Sequence, residues 1–177
     1  MYELIELNKN EYEKFVKSSK KSHFLQSYIW GEFCKKEKKV TPYYGGLKKD
    51  KKIVASALLL EKKLPLGYSY FYSPRGFVLD YNDKEILKEF TGKIKEFSKK
   101  HKAIYVKIDP DIKLQSLTID GEVIEGDNNF ALVDYMKSYL IIVINVDCLM
   151  INIYIYFYLM WHSYTPSIDI WITEWDI

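Results

Sequence analysis

Arginine is almost absent from this chain. Of 26 basic residues, one, Arg75, is arginine and the others are lysine. Arg presents a planar fork of donors that grips phosphate or carboxylate through two bonds, where Lys offers only a point charge. Cysteine is scarce as well. Cys34 and Cys148 stand alone, with no CxxC or Cys/His grouping, which excludes a disulfide framework and the usual zinc spacings. No metal or other cofactor is expected. The start, Met1-Tyr2-Glu3-Leu4, has no basic stretch followed by an apolar run. No signal peptide is read there, and a reducing, cytoplasmic setting is expected. Lys and Arg stop at Lys137, and glycine stops at Gly126.

What is present fits one globular domain and a foreign tail. The chain has 177 residues, 48% hydrophobic and 28% charged, enough to bury a core. Residues 1–137 carry a net charge of +6. Residues 138–177 hold four acids (Asp147, Asp169, Glu174 and Asp176) and no base. A boundary is therefore expected between 137 and 138.

Hydrophobic spacing gives the elements. Tyr2–Leu7 reads as a strand, and Asn8 caps a helix through Glu11–Ser18. Ser27 caps a second helix, Tyr28–Lys36, with Ile29, Trp30 and Phe33 as its apolar stripe. The lysines closing it, Lys35 to Lys39, favour the negative end of the helix dipole and read as a solvated helix end. Pro42–Lys48 and Ile53–Lys62 form a hairpin, and the continuous apolar run from Ile53 to Leu60 puts the second strand in the middle of the sheet. Tyr68–Tyr72 is the next strand. Asn82, with Glu85 three residues on, starts a helix whose stripe is Ile86, Leu87, Phe90, Ile94 and Phe97. Ala103–Ile108 is a strand, Asp120-Gly121 a turn, and Asn128 caps a helix from Asn129 to Lys137. The expected fold class is mixed α/β, with a mostly antiparallel sheet flanked by helices.

Two strand ends carry the candidate chemistry. The first is Tyr72-Ser73-Pro74-Arg75-Gly76, where Pro stiffens the approach and Gly admits close backbone. The second is Lys107-Ile108-Asp109-Pro110. Lys107 and Asp109, two apart on a strand, share a face. Asp109 reads either as a general base or amine holder, or as a turn-forming Asp before Pro.

These pieces resemble one family in their order and spacing. Phe24-Leu25-Gln26-Ser27-Tyr28-Ile29-Trp30 resembles the Phe-x-Gln-Ser-x-x-Trp entry helix of the FemA/FemB/FemX proteins. Leu64-Pro65-Leu66-Gly67, Ser73-Pro74-Arg75-Gly76, Leu79-Asp80-Tyr81 and Val106-Lys107-Ile108-Asp109-Pro110 follow in that family's order. The resemblance covers residues 2–137 and implies the first of two acetyltransferase-like (GNAT-like) halves. It implies an aminoacyltransferase of peptidoglycan synthesis, moving an amino acid from aminoacyl-tRNA to the stem-peptide amine of a lipid-linked or UDP-linked precursor at the inner face of the membrane. Asp109 is implied near the acceptor amine. Arg75 is implied at the precursor cleft, with Tyr72, Ser73, Gly76, Lys107 and Trp30 as further binding residues. Many members carry a diphosphate-gripping Lys four residues after the Trp. Here that place is Cys34, so Lys35 and Lys36 are the candidates. Phe77 replaces the Pro that usually follows the Arg-Gly pair.

The second half of the family pattern, with its catalytic Lys, does not follow Ser138. The tail is expected to be out-of-frame translation from near codon 138, and the chain alone is expected to be inactive. Tyr139–Trp161 has the length of a membrane span, but Asp147 near its middle costs roughly 2.5–3.5 kcal/mol on insertion. Ile151–Phe157 reads alternatively as an aggregation-prone strand. Two other functions stay open: a GNAT-type N-acetyltransferase, disfavoured by the lack of a Gly-rich loop opening a helix, and a membrane-tethered stub that binds precursor. A nucleic-acid module is disfavoured because the lysines are spread over several helix ends with no concentrated footprint.

Overall fold

The long apolar run reads correctly as the middle of the sheet. The computed structural model describes residues 1–140. Five strands lie side by side in chain order: β1 (Tyr2–Glu6), β2 (Thr41–Lys49), β3 (Lys52–Lys63), β4 (Ser69–Ser73) and β5 (Ala103–Ile108). β3 is third of the five. Its odd-numbered side chains, Ala55, Ala57 and Leu59, enter one core, and Leu58 and Leu60 enter the other. A strand buried on both faces needs that continuous apolar run. All pairings are antiparallel except β4 with β5.

Each face is covered by a helical pair. α1 (Lys9–Ser18) and α2 (Tyr28–Lys38) bring Tyr12, Val16 and Cys34 onto Tyr44, Leu58 and Leu60. α3 (Lys84–Lys100) and α4 (Phe130–Leu140) bring Leu87, Phe90, Ile94 and Met136 onto Leu47, Leu59 and Phe71. α1 opens with a full capping box between Asn8 and Glu11. Ser27 caps α2 by accepting from the Trp30 N–H at 3.1 Å. Gly31 lets α2 lie close on β2, because a Cβ there would fall on the Tyr44 hydroxyl.

Three local expectations change, and one turn gains strands around it. Ile29 and Phe33, expected on the inward stripe of α2, stand 66% and 46% exposed, because the helix turns Gly31 and Cys34 to the core instead. Asp83, not Asn82, caps α3, accepting from the Ile86 N–H at 3.0 Å. Asn82 is instead tied back to Asp80, whose carboxylate takes its N–H at 3.0 Å. The β2–β3 turn is tighter than the four residues read from sequence. Asp50 and Lys51 alone make it, both at positive φ (49° and 69°), matching the strand twist. Around Asp120-Gly121 the chain forms a hairpin, β6 (Gln115–Leu117) with β7 (Val123–Asn128). Those strands are short and polar, so they lack an alternating apolar signal. Beyond its first two residues, the run Tyr139–Trp161 lies outside the described residues, as does Ile151–Phe157. Among the described residues no helix is long and apolar enough to cross a membrane.

One carboxylate is buried where β3 ends. Glu61 is 1% exposed and meets Lys63 Nζ at 2.6 Å, His101 Nδ1 at 3.2 Å and the Tyr43 hydroxyl at 3.3 Å. Burial pushes its pKa up, but the Lys63 hydrogen bond and charge, with smaller contributions from Ser69 and His101, outweigh this and hold it below the ordinary value. A carboxylate with a lowered folded pKa stabilises the fold above its unfolded pKa, about 4.3, and that contribution is lost as pH falls through the folded value. Glu61→Gln should therefore flatten the loss of stability below about pH 4, read from urea midpoints across a pH series.

Candidate functional site

β4 parts from β3 early while staying paired with β5, and the gap beside β3 builds the site. Leu60 on β3 lies opposite Tyr72, and Ser56 exchanges both backbone hydrogen bonds with Val78 at 2.8 and 3.0 Å. Residues 73–77 loop out between these points, so the Leu58 N–H on that side has no strand to meet. Gln26 fills the place. Its Oε1 accepts the Leu58 N–H at 2.8 Å, and its Nε2 donates to Ser73 Oγ at 3.2 Å and to the Pro74 carbonyl. The Tyr12 hydroxyl donates to the Gln26 carbonyl at 2.9 Å. Gln26 is wholly buried. One amide thus satisfies an acceptor and a donor inside an apolar core, where either left alone would be costly.

The same tie shapes the turn. Ser73, Pro74, Gly76 and Phe77 are buried, and Arg75 between them is exposed. A Cβ on Gly76 would collide with Ser73 Oγ and stand 2.9 Å from Gln26 Nε2. Ser73 and Gly76 are therefore packed into the base of the turn. Arg75 sits at φ 51°, a left-handed angle uncommon for a side chain of its size. That angle is held from the other side: the Arg75 N–H donates to Asp109 Oδ1 at 2.7 Å.

Asp109 follows the last residue of β5, beside the end of β4. Its second oxygen, Oδ2, accepts from the Tyr72 hydroxyl at 3.1 Å. Lys107, paired with Tyr72 across the two parallel strands, places its ammonium 5.6 Å from the Tyr72 ring centre. So the expected common face of Lys107 and Asp109 exists, with Tyr72 between them. Each Asp109 oxygen carries one donor and keeps lone-pair capacity for another. The carboxylate is oriented, not free-swinging. The arrangement offers a fixed acceptor for an amine N–H, a nearby ammonium and an exposed guanidinium fork on one turn.

The other candidates stand on α2, which covers the same face. Trp30 and Tyr72 both pack against the α1–α2 core. Trp30 stacks on Phe33 at 5.2 Å, and Lys38 lies 5.2 Å from its ring centre. Lys35 and Lys36 are exposed in the last turn, with Lys36 3.8 Å from Glu37. Cys34 is fully buried, so the place where many family members carry Lys points into the core in this chain. The sequence alone gives Gln26 no role. Its one signal was its place in Phe-x-Gln-Ser; that it spans to residues 58 and 74 depends on the fold.

Gln26, Ser73 and Pro74, which make this tie, lie in the segments that carry the resemblance. The FemAB family model matches residues 7–141, and the chain belongs to that family. It is 33% identical over 156 residues to the lipid II:glycine glycyltransferase of Staphylococcus aureus (strain MRSA252), covering 82% of this chain and 36% of that protein. It is 31% identical over 132 residues to the aminoacyltransferase FemA of Staphylococcus aureus (strain bovine RF122 / ET3-1), covering 75% and 31%. Its fold matches the crystal structure of FemX with a TM-score of 0.62 and 31% identity, over 77% of this chain and 31% of that one. The chain thus spans about a third of the length of the relatives it matches.

Gln26→Leu keeps the volume but strands the Leu58 N–H and frees the turn. It should cost about 2–4 kcal/mol of stability, read from urea unfolding of the purified protein.

Proposed function

We propose that this chain is the first half of an aminoacyltransferase of peptidoglycan bridge formation. The enzyme it belongs to takes an amino acid from aminoacyl-tRNA and joins it to the stem-peptide amine of a cell-wall precursor. The observation that carries this reading is Asp109, held at the end of β5 by the Tyr72 hydroxyl and the Arg75 N–H. In the reaction, the amine nitrogen attacks the aminoacyl ester carbonyl. A C–N bond forms, the ester C–O bond breaks, and the tRNA hydroxyl leaves with a proton. Asp109 orients the amine and takes its proton. Arg75 binds the precursor's anionic groups through its fork, with Tyr72 and Lys107 beside it. Trp30, Lys35 and Lys36 line the approach on α2, and Ser73 and Gly76 hold the turn.

The charge break after Lys137 puts the half-domain at residues 1–137 with a foreign tail after it, although α4 runs on to Leu140 and the family match to residue 141, so the change falls a few residues later than the charge alone indicates. The acceptor is a lipid-linked or UDP-linked muropeptide, so the enzyme works in the cytoplasm at the membrane's inner face. These 177 residues span about a third of the relatives' length, and on their own they are proposed to carry no transfer activity.

Two measurements test the reading. UDP-linked muropeptide titrated into the protein should bind, and Arg75→Lys should weaken it about tenfold through loss of the paired contacts. Equal affinity would remove Arg75 from the site. Purified protein, given charged tRNA with a radiolabelled amino acid and precursor, should transfer no label. Labelled product would overturn the half-enzyme assignment.

A further inference from the structure

The lysines that look scattered in the sequence are gathered by the fold. α2 and α3 cover opposite faces of the sheet, yet both finish at the end where β3 gives way to β4. At the close of α2, Lys62 Nζ on β3 donates to the Lys38 carbonyl at 3.4 Å. At the close of α3, Ser69 donates its hydroxyl to the His101 carbonyl at 3.0 Å and its N–H to the Lys102 carbonyl at 3.2 Å. Ser69 lies opposite Lys63, so the two helix ends flank one strand connection. α2 brings exposed Lys35, Lys36, Lys38 and Lys39 to this end, and α3 brings exposed Lys99, Lys100 and Lys102. Few carboxylates answer them. Glu61 is buried on Lys63 and His101, Glu37 pairs with Lys36, and Glu96, a turn back on α3, pairs with Lys93.

At the centre of this basic ring stands an apolar tip. The β3–β4 connection holds Leu66 80% exposed at φ 61°. Glycine would take that angle more easily, and the leucine gains no core packing for it. α2 adds exposed Phe33, one turn before Lys36.

We propose that this end of the sheet docks on an anionic phospholipid surface. The lysines meet the lipid phosphates, and Leu66 enters the boundary between headgroups and acyl chains. RNA would use the lysines and stack on Phe33, but an exposed aliphatic tip at Leu66 serves a lipid surface and gives RNA nothing to stack on. The inference deepens the transferase reading by naming where the enzyme would meet the membrane; it shares Lys35 and Lys36 with that reading, and rests otherwise on Lys38, Lys39, the α3 lysines and Leu66. β4 runs from this basic end to the Tyr72–Asp109 cluster, roughly 13 Å away at the rise of a strand. A precursor anchored in the bilayer could extend its stem peptide over that distance.

Vesicle co-sedimentation of the full 177-residue chain tests it, comparing pure phosphatidylcholine with vesicles holding about 30% phosphatidylglycerol. Binding should need the anionic lipid and disappear in about 0.5 M salt. Lys39→Glu with Lys102→Glu should weaken it about tenfold or more. Lys51→Glu with Lys52→Glu makes the same charge change at the opposite end and should cost much less. Leu66→Gly suits the backbone angle, so it should fold normally and still bind several-fold more weakly. Equal binding to neutral vesicles, or binding that ignores the Lys39/Lys102 pair, would place lipid contact elsewhere in the chain and overturn the proposal. So would RNA binding that depends on that lysine pair while Leu66→Gly leaves vesicle binding unchanged. These vesicles carry no precursor. Failure here with muropeptide binding intact removes the docking surface alone, and the reverse result removes the transferase reading alone.

Discussion

The site depends on how one amide closes a break in the sheet. β4 pairs with the end of β3 and then departs, and the chain returns as a single bridge at Val78. A sheet broken at its central strand exposes a backbone N–H in the core, which the fold must answer. Gln26 answers with one oxygen and uses its nitrogen to hold the departing chain at Ser73 and Pro74. The turn it holds presents Arg75 outward and directs the Arg75 N–H at Asp109. Departure of the strand, the polar plug and the placed carboxylate are one construction. Tyr12 links it to α1, so the helix that covers this face also steadies the plug.

The molecule has two functional poles under this account. At one end of β4 lie Tyr72, Arg75, Lys107 and Asp109, set close by backbone and side-chain bonds. At the other lie lysines from two helix ends around an exposed leucine. Glu61 marks the boundary of the second pole. Its burial among Lys63, His101 and Tyr43 removes a carboxylate from the surface there and leaves the outward charge positive.

Much of the fold was legible in the sequence because its signals are local. Asn8 with Glu11, the alternating burial of Ala57, Leu58 and Leu59, and the stripe from Ile86 to Phe97 each report one element. Asp83 displaced Asn82 as a cap because Asp80 competes for Asn82, a choice between neighbours that spacing alone leaves open. The strand-end residues Arg75 and Asp109 were nameable from residue type. Their joining was not, since it comes from the pairing of β4 with β5 across 34 residues. Gln26 and the lysine pole were hidden for the same reason: each depends on segments far apart in the chain.

Hydrogen exchange at the Leu58 amide tests the plug most directly. That N–H faces the side β4 has vacated and meets only a side chain there. If Gln26 closes the break, Leu58 exchanges as slowly as the paired amides of β3 around it, and the turn at Arg75 stays ordered with it. If Leu58 exchanges at the rate of a loop amide, the break is open to water, and the placement of Arg75 against Asp109 has no support beneath it.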